Sequence, residues 1–421
     1  MSITRFVAVL LALAQLVSSA QAQIPTTEDP GQLGFAIDRL QRIDLMLQRL
    51  VADNEISGAV ILLARDGRIG HFVSVGNANL EEDLPMRSDT IFRLASMTKP
   101  IVSVGAMILF EEGRFQLTDP VSQYIPEFAD VRVLEVDKGT LRQPSREITI
   151  QDLLRHTSGM AYAGESTIVD AYYVDAKLDD PSRTLEEMVL KISELPLAFS
   201  PGEGWEYGRS TEVLGHLIER IADEPLDSFL RDRVLEPLKM VDTGFFVSRE
   251  KAHRFAMAYM RTDEGDLRVS ENPIGEWLDR PKLLVPGGGM VSTAPDYFRF
   301  SQMLLNRGEL DGVRILSPTT VDLMVRNHLR VEILPTEFGG PTWDWMVRGW
   351  GFGLGFRVLV DAVIAGSAAS HGSYGWFGCN NTFFLIDPKE RLIGIFMAQS
   401  VTCDYPGVRE FQSLMHQALE K

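Results

Sequence analysis

Apolar residues recur at helical spacing in several stretches of the chain. In residues 34–54, Ile43, Leu47 and Leu50 fall on one side of a helix and predict an amphipathic helix with a polar outer face. Residues 101–110 are apolar almost all round, as in a buried helix. Similar patterns predict helices over residues 186–193, 212–222, 226–234, 296–306 and 407–420.

Runs of β-branched and aromatic residues predict strands near both ends of the chain. Residues 58–64 and 70–75 flank a turn at Asp66-Gly67, and residues 352–360, 382–386 and 391–398 follow in the last third. Strands at both ends with helices between them predict an α/β fold. We expect an antiparallel sheet built from both chain ends, flanked by helices, with a mostly helical region inserted within it.

The composition is that of an ordinary globular protein. Of the 421 residues, 45% are hydrophobic and 24% are charged. The net charge of −17, with no cluster of lysine and arginine, disfavours nucleic acid and anionic membrane surfaces as partners. The seven histidines show no metal-binding spacing, so no metal or other cofactor is expected.

Residues 1–22 have the layout of an export signal. Arg5 forms a short basic region, residues 6–17 are apolar with one glutamine, and Ala20-Gln21-Ala22 is a small-x-small cleavage site. The apolar stretch is too short to span a bilayer comfortably. We therefore expect cleavage after Ala22, a periplasmic location in a Gram-negative source, no stable membrane insertion, and one domain over residues 23–421. An uncleaved anchor is the alternative.

The two cysteines, Cys379 and Cys403, lie on either side of the last two predicted strands. A turn over residues 387–390 would place Ile386 opposite Arg391. In that register the cysteines are a few positions apart, which disfavours a bond between them. Export would permit a disulfide, so the pairing stays open.

Ser96-Met97-Thr98-Lys99 places a hydroxyl and an amine three residues apart, just before the apolar helix. Positions i and i+3 share a helix face, and a partly desolvated lysine can activate a serine as a nucleophile. Pro100 fits the first turn of a helix. The same spacing recurs in Ser248-Arg249-Glu250-Lys251, where charges indicate a solvated turn. The first copy therefore needs support from elsewhere.

Tyr207-Gly208-Arg209-Ser210 is one source of support, because it precedes the helix predicted over residues 212–222. A tyrosine between two cations, such as Lys99 and Arg209, would have its phenolate favoured and could shuttle protons. The alternative is an aromatic packing residue whose hydroxyl is satisfied locally.

Trp376-Phe377-Gly378-Cys379 is a second source of support, leading into a predicted strand. Gly378 permits close approach of the backbone, and the following N–H, that of Cys379, could help form an oxyanion hole. His371 lies shortly before this segment and is a candidate to line the same site. A kinked strand with a core tryptophan is the structural alternative.

Ser-x-x-Lys, a tyrosine near mid-chain and an x-x-Gly strand near the end together resemble the serine β-lactamase-like superfamily. That group includes class C β-lactamases, DD-peptidases and family VIII carboxylesterases. The resemblance covers nearly the whole chain after the signal and implies the β-lactamase/transpeptidase-like fold. Its sequence blocks are residues 92–100, 117–121, 148–159 and 286–293.

Departures from the common pattern narrow the subgroup. Arg209 stands where peptidases and β-lactamases usually carry asparagine, and Trp376 stands where a lysine usually holds a substrate carboxylate. Phe377 replaces a small residue. These features are similar to those of family VIII carboxylesterases and favour an apolar acyl or alkyl group. We expect Trp376, Phe377, Gly378, Arg209 and His371 to bind substrate.

The resemblance implies a serine hydrolase that acts on a small ester or amide. Ser96 would attack the carbonyl, with Lys99 as its base or stabiliser, and Tyr207 would relay a proton to the leaving alcohol. The N–H groups of Ser96 and Cys379 would stabilise the oxyanion. Acyl transfer, β-lactam or DD-peptide hydrolysis, and a non-catalytic binding role on the same fold are the alternatives. The natural substrate and the oligomeric state stay open.

Overall fold

The computed structural model describes residue 27 and residues 29–162, 168–270, 274–335, 344–401 and 405–420. Within these residues eight strands form one large sheet. They are β1 (Gly58–Arg65), β2 (Arg68–Asn79), β3 (Leu84–Pro85), β4 (Trp350–Phe352), β5 (Arg357–Leu359), β6 (Tyr374–Gly378), β7 (Thr382–Asp387) and β8 (Leu392–Ala398). The spatial order is β4-β5-β6-β7-β8-β1-β2-β3, and each neighbouring pair is antiparallel.

The helices of the described ranges lie mostly between β3 and β4. They are α1 (Ile37–Ala52), α2 (Thr98–Glu111), α3 (Ile150–Leu154), α4 (Ile168–Asp175), α5 (Leu185–Ser193), α6 (Ser210–Ala222), α7 (Leu226–Leu230), α8 (Ala294–Leu305), α9 (Pro318–Met324), α10 (Ala362–Ala365) and α11 (Val408–Gln417). Short strands pair beside them: Phe92–Arg93 with Val291–Ser292, Val133–Glu135 with Thr140–Arg142, Tyr259–Arg261 with Leu267–Val269, and Glu309–Leu310 with Val313–Arg314.

The sheet joins the two ends of the chain, because β1 pairs with β8 from Ala59↔Ala398 to Arg65↔Leu392. Both strands are buried along almost their whole length, since helices cover both faces. Phe411 of α11 packs on Phe383, and Tyr297 of α8 packs on Phe384, so adjacent positions of β7 face opposite layers. The predicted α/β fold, with its inserted helical region, is confirmed.

The predicted amphipathic helix near the start is α1, and Ile43, Leu47 and Leu50 are all buried in the core. It begins three residues later than predicted. Gly34 adopts a φ of 77° and closes a short 3₁₀ turn over Pro30–Leu33, so the helix starts only at Ile37. The helix predicted over residues 226–234 begins at Leu226 as α7. It ends at Leu230, and the chain continues as a π-helical turn over Arg231–Leu235.

The strand predicted over residues 352–360 is wrong, because this segment is a hairpin. β4 ends at Phe352, a tight turn follows, and β5 begins at Arg357. In the turn the N–H of Gly353 donates to the carbonyl of Phe356 (2.7 Å), and Gly355 has a φ of 99°. The alternation of glycine with apolar residues resembled a strand, but a residue at positive φ breaks the extended conformation.

The register predicted for the last hairpin is also wrong, by two residues. Ile386 lies opposite Ile393, because Arg391 adopts a φ of 51° and belongs to the turn. Cys379 lies in a turn beyond the end of β6, where strand register no longer constrains it, and it is disulfide-bonded. The register argument against a disulfide is therefore wrong. Cys403, the other cysteine of the chain, lies outside the described residues.

Residues 1–22, on which the export signal and cleavage after Ala22 were predicted, also lie outside the described residues. In the part of the chain that the structure describes, no helix combines the length and the apolar character needed to cross a bilayer.

Candidate active site

Ser96 lies on a 3₁₀ turn, Ala95–Met97, that leads directly into α2. The short strand Phe92–Arg93 fixes the approach to this turn by pairing with Val291–Ser292. Ala95 adopts a φ of 45°. Left-handed backbone costs an L-residue roughly 1–2 kcal/mol, so the surrounding structure holds this residue in a strained conformation immediately before the serine.

Lys99, one helical turn after Ser96, is buried with 2% of its surface exposed. Its Nζ donates to Ser96 Oγ at 3.3 Å and to the carbonyl of Gly287 at 2.7 Å. Burial lowers the pKa of the Lys99 amine, against the opposing influence of Tyr162 and Glu212. The predicted i, i+3 contact is present, and the amine is shifted toward the neutral form that can accept a proton.

Tyr207 completes a three-residue contact at the serine. Its hydroxyl lies close enough to Ser96 to interact with it, and the Nε1 of Trp376 donates to it at 3.3 Å. The Nζ of Lys99 lies 4.6 Å from the centre of its ring. Burial raises the pKa of Tyr207, so the expectation that its phenolate is favoured is wrong. A neutral phenol can donate a proton rather than take one.

The tyrosine that lies between two cations is Tyr162. Its ring stacks on Tyr207 with centroids 6.0 Å apart and planes inclined by 14°. The Nζ of Lys99 lies 5.8 Å from the Tyr162 centroid, and the Cζ of Arg209 lies 4.4 Å from it. The sequence carried no motif that pointed to Tyr162.

Arg209 is almost fully buried behind this pair of tyrosines, and its guanidinium is engaged by carboxylates. It donates to both oxygens of Asp179 (2.8 and 2.6 Å) and to Glu212 Oε1 (3.2 Å). A guanidinium held in this way is not offered to a substrate. The structure therefore does not support the expectation that Arg209 binds substrate directly.

Trp376 and Phe377 occupy successive positions of β6 and so point to opposite faces of the sheet. Trp376 packs on Tyr207 and Phe352, on the side of Ser96. Phe377 packs on Phe383 and under the guanidinium of Arg357, in the layer covered by α11. The two-residue period of a strand thus separates Phe377 from Trp376, and substrate binding by either residue stays a prediction.

Gly378 brings the end of β6 against the backbone that leads to the serine. A Cβ at this position would lie 2.0 Å from the carbonyl oxygen of Leu94, and Thr382 Oγ1 donates to the same oxygen at 3.0 Å. The close approach predicted for Gly378 is present. Cys379, which follows in the turn, therefore lies beside the Leu94–Ser96 segment, while the role of its N–H in an oxyanion hole stays a prediction.

His371 is exposed and precedes the opposite end of β6, which rises about 13 Å from its first residue to Gly378. The structure therefore does not bring His371 to Ser96. A different histidine, His156, lies beneath the site with its ring 4.9 Å from that of Tyr207. Burial, together with the charge of Lys99, holds the pKa of His156 well below its usual value, so it packs there as a neutral ring.

Across the described residues, no three histidine, cysteine, aspartate or glutamate side chains are grouped as metal ligands. The chemistry assembled at Ser96 is that of a nucleophile with a buried amine and a phenol. The family model described as Beta-lactamase matches residues 43–411. The chain belongs to this family.

Proteins with similar sequences match most of the chain. Protein Rv1367c of Mycobacterium tuberculosis (strain ATCC 25618 / H37Rv) is 37% identical over 82% of this chain and 86% of its own. Esterase EstB of Burkholderia gladioli is 30% identical over 87% and 91%. The solved structure of EstCE1, a hydrolase with promiscuous acyltransferase activity, is 27% identical, covers 90% and 98%, and has a TM-score of 0.77. The resemblance seen in the sequence is confirmed, and its family is one of serine hydrolases with esterase relatives.

Proposed function

We propose that this protein hydrolyses carboxylic esters through an acyl-enzyme formed on Ser96. The observation that carries the proposal is the convergence of two groups on one hydroxyl. Ser96 contacts both the buried amine of Lys99, at 3.3 Å, and the hydroxyl of Tyr207. A serine with an adjacent base is the arrangement that nucleophilic catalysis requires.

In the proposed reaction, neutral Lys99 takes the proton of Ser96 as Oγ bonds to the ester carbonyl carbon. The N–H groups of Ser96 and Cys379 stabilise the oxyanion that forms. As the bond to the alcohol breaks, Tyr207 donates its proton to the leaving oxygen and is reprotonated by the Lys99 ammonium. A water molecule then attacks the acyl group by the same route in reverse order and releases the acid.

Neutral esters with an apolar acyl or alkyl group are the proposed substrates. The basic side chains of the site, Lys99 and Arg209, are already engaged by Gly287 and by the carboxylates of Asp179 and Glu212. A substrate carboxylate would therefore meet no unpaired cation from these residues, whereas Trp376 offers an aromatic surface beside Tyr207. The esterase relative EstB is consistent with this choice.

The test is hydrolysis of nitrophenyl esters of graded acyl length by the wild-type protein and by Ser96→Ala. We expect activity on neutral esters that Ser96→Ala abolishes, and little activity on a chromogenic cephalosporin. Activity that survives in Ser96→Ala would refute the assigned nucleophile. Stable labelling of Ser96 by a fluorescent penicillin, without ester hydrolysis, would favour the β-lactamase or DD-peptidase alternative.

Acyl transfer is a second candidate, because an alcohol can replace water as the acceptor on the same acyl-enzyme. EstCE1 is described as both a hydrolase and an acyltransferase, which supports this candidate. Adding a short alcohol to the assay and measuring ester product against free acid separates the two outcomes.

We also propose export, with removal of residues 1–22. The support is the basic, apolar and small-x-small order of that segment. Cell fractionation followed by N-terminal sequencing of the recovered protein should find Gln23 as the first residue. Recovery of Met1 from the cytoplasmic fraction would contradict the proposal.

A further inference from the structure

A buried ionic cluster lies directly behind the proposed catalytic residues. Arg209 joins the carboxylate of Asp179, which is 59% exposed, to that of Glu212, which is fully buried. Burial would disfavour the charge on Arg209, but Glu212, together with Tyr162 and Asp179, more than compensates and raises its pKa. The guanidinium is therefore a permanent charge beside Glu212.

Glu212 and the amine of Lys99 both lie against the same residue, Gly287. A Cβ at Gly287 would lie 2.5 Å from Glu212 Oε1, and the carbonyl of the same Gly287 accepts the hydrogen bond from Lys99 Nζ. Glu212 Oε2 has no hydrogen-bond partner among the described residues. A buried, incompletely paired carboxylate near an amine would ordinarily hold that amine as an ammonium ion.

The other face of the guanidinium contacts the aromatic wall of the site. The Cζ of Arg209 lies 4.4 Å from the Tyr162 centroid, and Tyr162 stacks on Tyr207. Such a cation–π contact is worth about 0.5–2 kcal/mol. One side chain thus touches the carboxylate that acts on Lys99 and the ring that supports Tyr207.

We propose that Arg209 is a positioning residue for the ester hydrolysis described above: its guanidinium neutralises Glu212, so that Lys99 remains free to accept the Ser96 proton, and it holds Tyr162 against Tyr207. The inference rests on the proposed function and adds to it a reason for the arginine in this segment. Arg209 acts through Lys99 and Tyr207 and does not itself touch the reacting atoms.

The proposal predicts the direction in which the pKa of Lys99 changes when either partner of the ion pair is removed. Among the described residues, the charged and titratable groups that face Lys99 are Ser96, His156, Tyr162, Tyr207, Arg209 and Glu212. Of these, Tyr162 and Glu212 raise the pKa of Lys99, and Arg209 lowers it. Removing the guanidinium leaves Glu212 unopposed, so the pH above which Lys99 is neutral should rise. Removing the Glu212 charge should lower that pH.

The experiment measures the rate at which Ser96 reacts with a fluorophosphonate as a function of pH, which requires no knowledge of the natural ester. In this reaction Oγ bonds to phosphorus, fluoride leaves, and the proton passes to Lys99. The acid limb of the profile reports ionisation of the base. For Arg209→Met we expect the acid limb to move to higher pH by about one unit or more. At pH values below the pKa of the base, the reaction should then be about tenfold slower than in the wild type.

Three further variants keep the test decisive if Arg209→Met folds poorly. Glu212→Gln alone should move the limb down, and the double variant Arg209→Met/Glu212→Gln should return it near the wild-type position. Arg209→Lys keeps the positive charge, so the acid limb of this variant should lie close to its wild-type position. A merely structural role would lower stability in each variant without moving the limb in opposite directions.

Asp179→Asn and Arg254→Met are the matched controls. Asp179→Asn removes the exposed partner but leaves the arginine charge beside Glu212. Arg254→Met removes a different arginine that is paired with a buried carboxylate, Asp242. Both should lower the melting temperature and leave the limb in place. If the wild type is labelled and the acid limb has the same position in Arg209→Met and Glu212→Gln, this inference is overturned but the proposed function is not. A wild type that does not label at any pH would overturn the proposed function as well.

Discussion

Replacing Gly378 with alanine tests whether the end of β6 must lie against the turn that carries Ser96. The added Cβ would lie 2.0 Å from the Leu94 carbonyl oxygen and 2.2 Å from Thr382 Oγ1. Since such contacts are essentially never shorter than 3.0 Å, the strand end has to retreat by about 1 Å. The N–H of Cys379, in the next position, retreats with it.

The expected cost to catalysis is large. A misplacement of about 1 Å can lower a rate about 100-fold, and loss of one oxyanion donor costs roughly 100- to 1,000-fold in kcat. We expect kcat on a nitrophenyl ester to fall about 100-fold with a much smaller change in KM, because the donor acts mainly in the transition state. Overpacking should also cost about 1–3 kcal/mol of stability.

Gly375→Ala is the matched control in the same strand. Its Cβ would lie 2.1 Å from the carbonyl oxygen of Phe384, a clash of the same size, but three residues away from Gly378. Both variants should therefore lose similar stability in thermal unfolding, while only Gly378→Ala should lose most of its kcat. Equal loss of activity in the two variants, or retention of kcat in Gly378→Ala, would refute the reasoning.

Three further predictions follow from single side chains. Tyr207→Phe removes the proton donor and should lower kcat roughly 100- to 10,000-fold while Ser96 still reacts with a fluorophosphonate; wild-type kcat would contradict the proton relay. Trp376→Phe loses the 3.3 Å bond from Nε1 to Tyr207 and should lower kcat only several-fold, equivalent to about 1 kcal/mol, in the same assay. Asp152 is buried, which would raise its pKa, but bonds from Arg146, Thr149 and Thr157 hold the pKa at about 2, below the usual 3.8. Its stabilisation, about 2 kcal/mol, is therefore present above pH 4 and lost as the pH falls toward 2, so the acid decline of the melting temperature should be shallower in Asp152→Asn; an unchanged decline would contradict this.

The parts of the site that follow local periodicity were predictable from the sequence. The contact between Ser96 and Lys99 follows from their i, i+3 spacing, and the close approach at Gly378 follows from a glycine at the end of a strand. The same kind of rule would have separated Trp376 from Phe377, because successive strand positions alternate between faces. The i, i+3 spacing of Arg209 and Glu212 was likewise a signal of the ion pair that the structure shows.

The parts that depend on contacts between distant segments were not predictable. Tyr162 reaches the site because the loop after His156 lies against Tyr207, and no local pattern marks that contact. The raised pKa of Tyr207 likewise depends on burial by neighbours from several elements, which outweighs the nearby cations. Positive backbone φ at Gly355 produced a turn that apolar alternation had concealed, and positive φ at Arg391 extended the predicted turn and shifted the register.

The pairing of β1 with β8 has a consequence for how the protein is made. Gly58–Arg65 emerges from the ribosome well before its partner Leu392–Ala398, because residues 66–391 lie between them. Until then one edge of β1 has no strand to pair with, and unpaired apolar edges associate readily with other chains. Pairing across so long a stretch of sequence also slows folding. The nascent chain is therefore expected to depend on chaperones, and a premature stop before β8 should yield an aggregating product without a reactive serine.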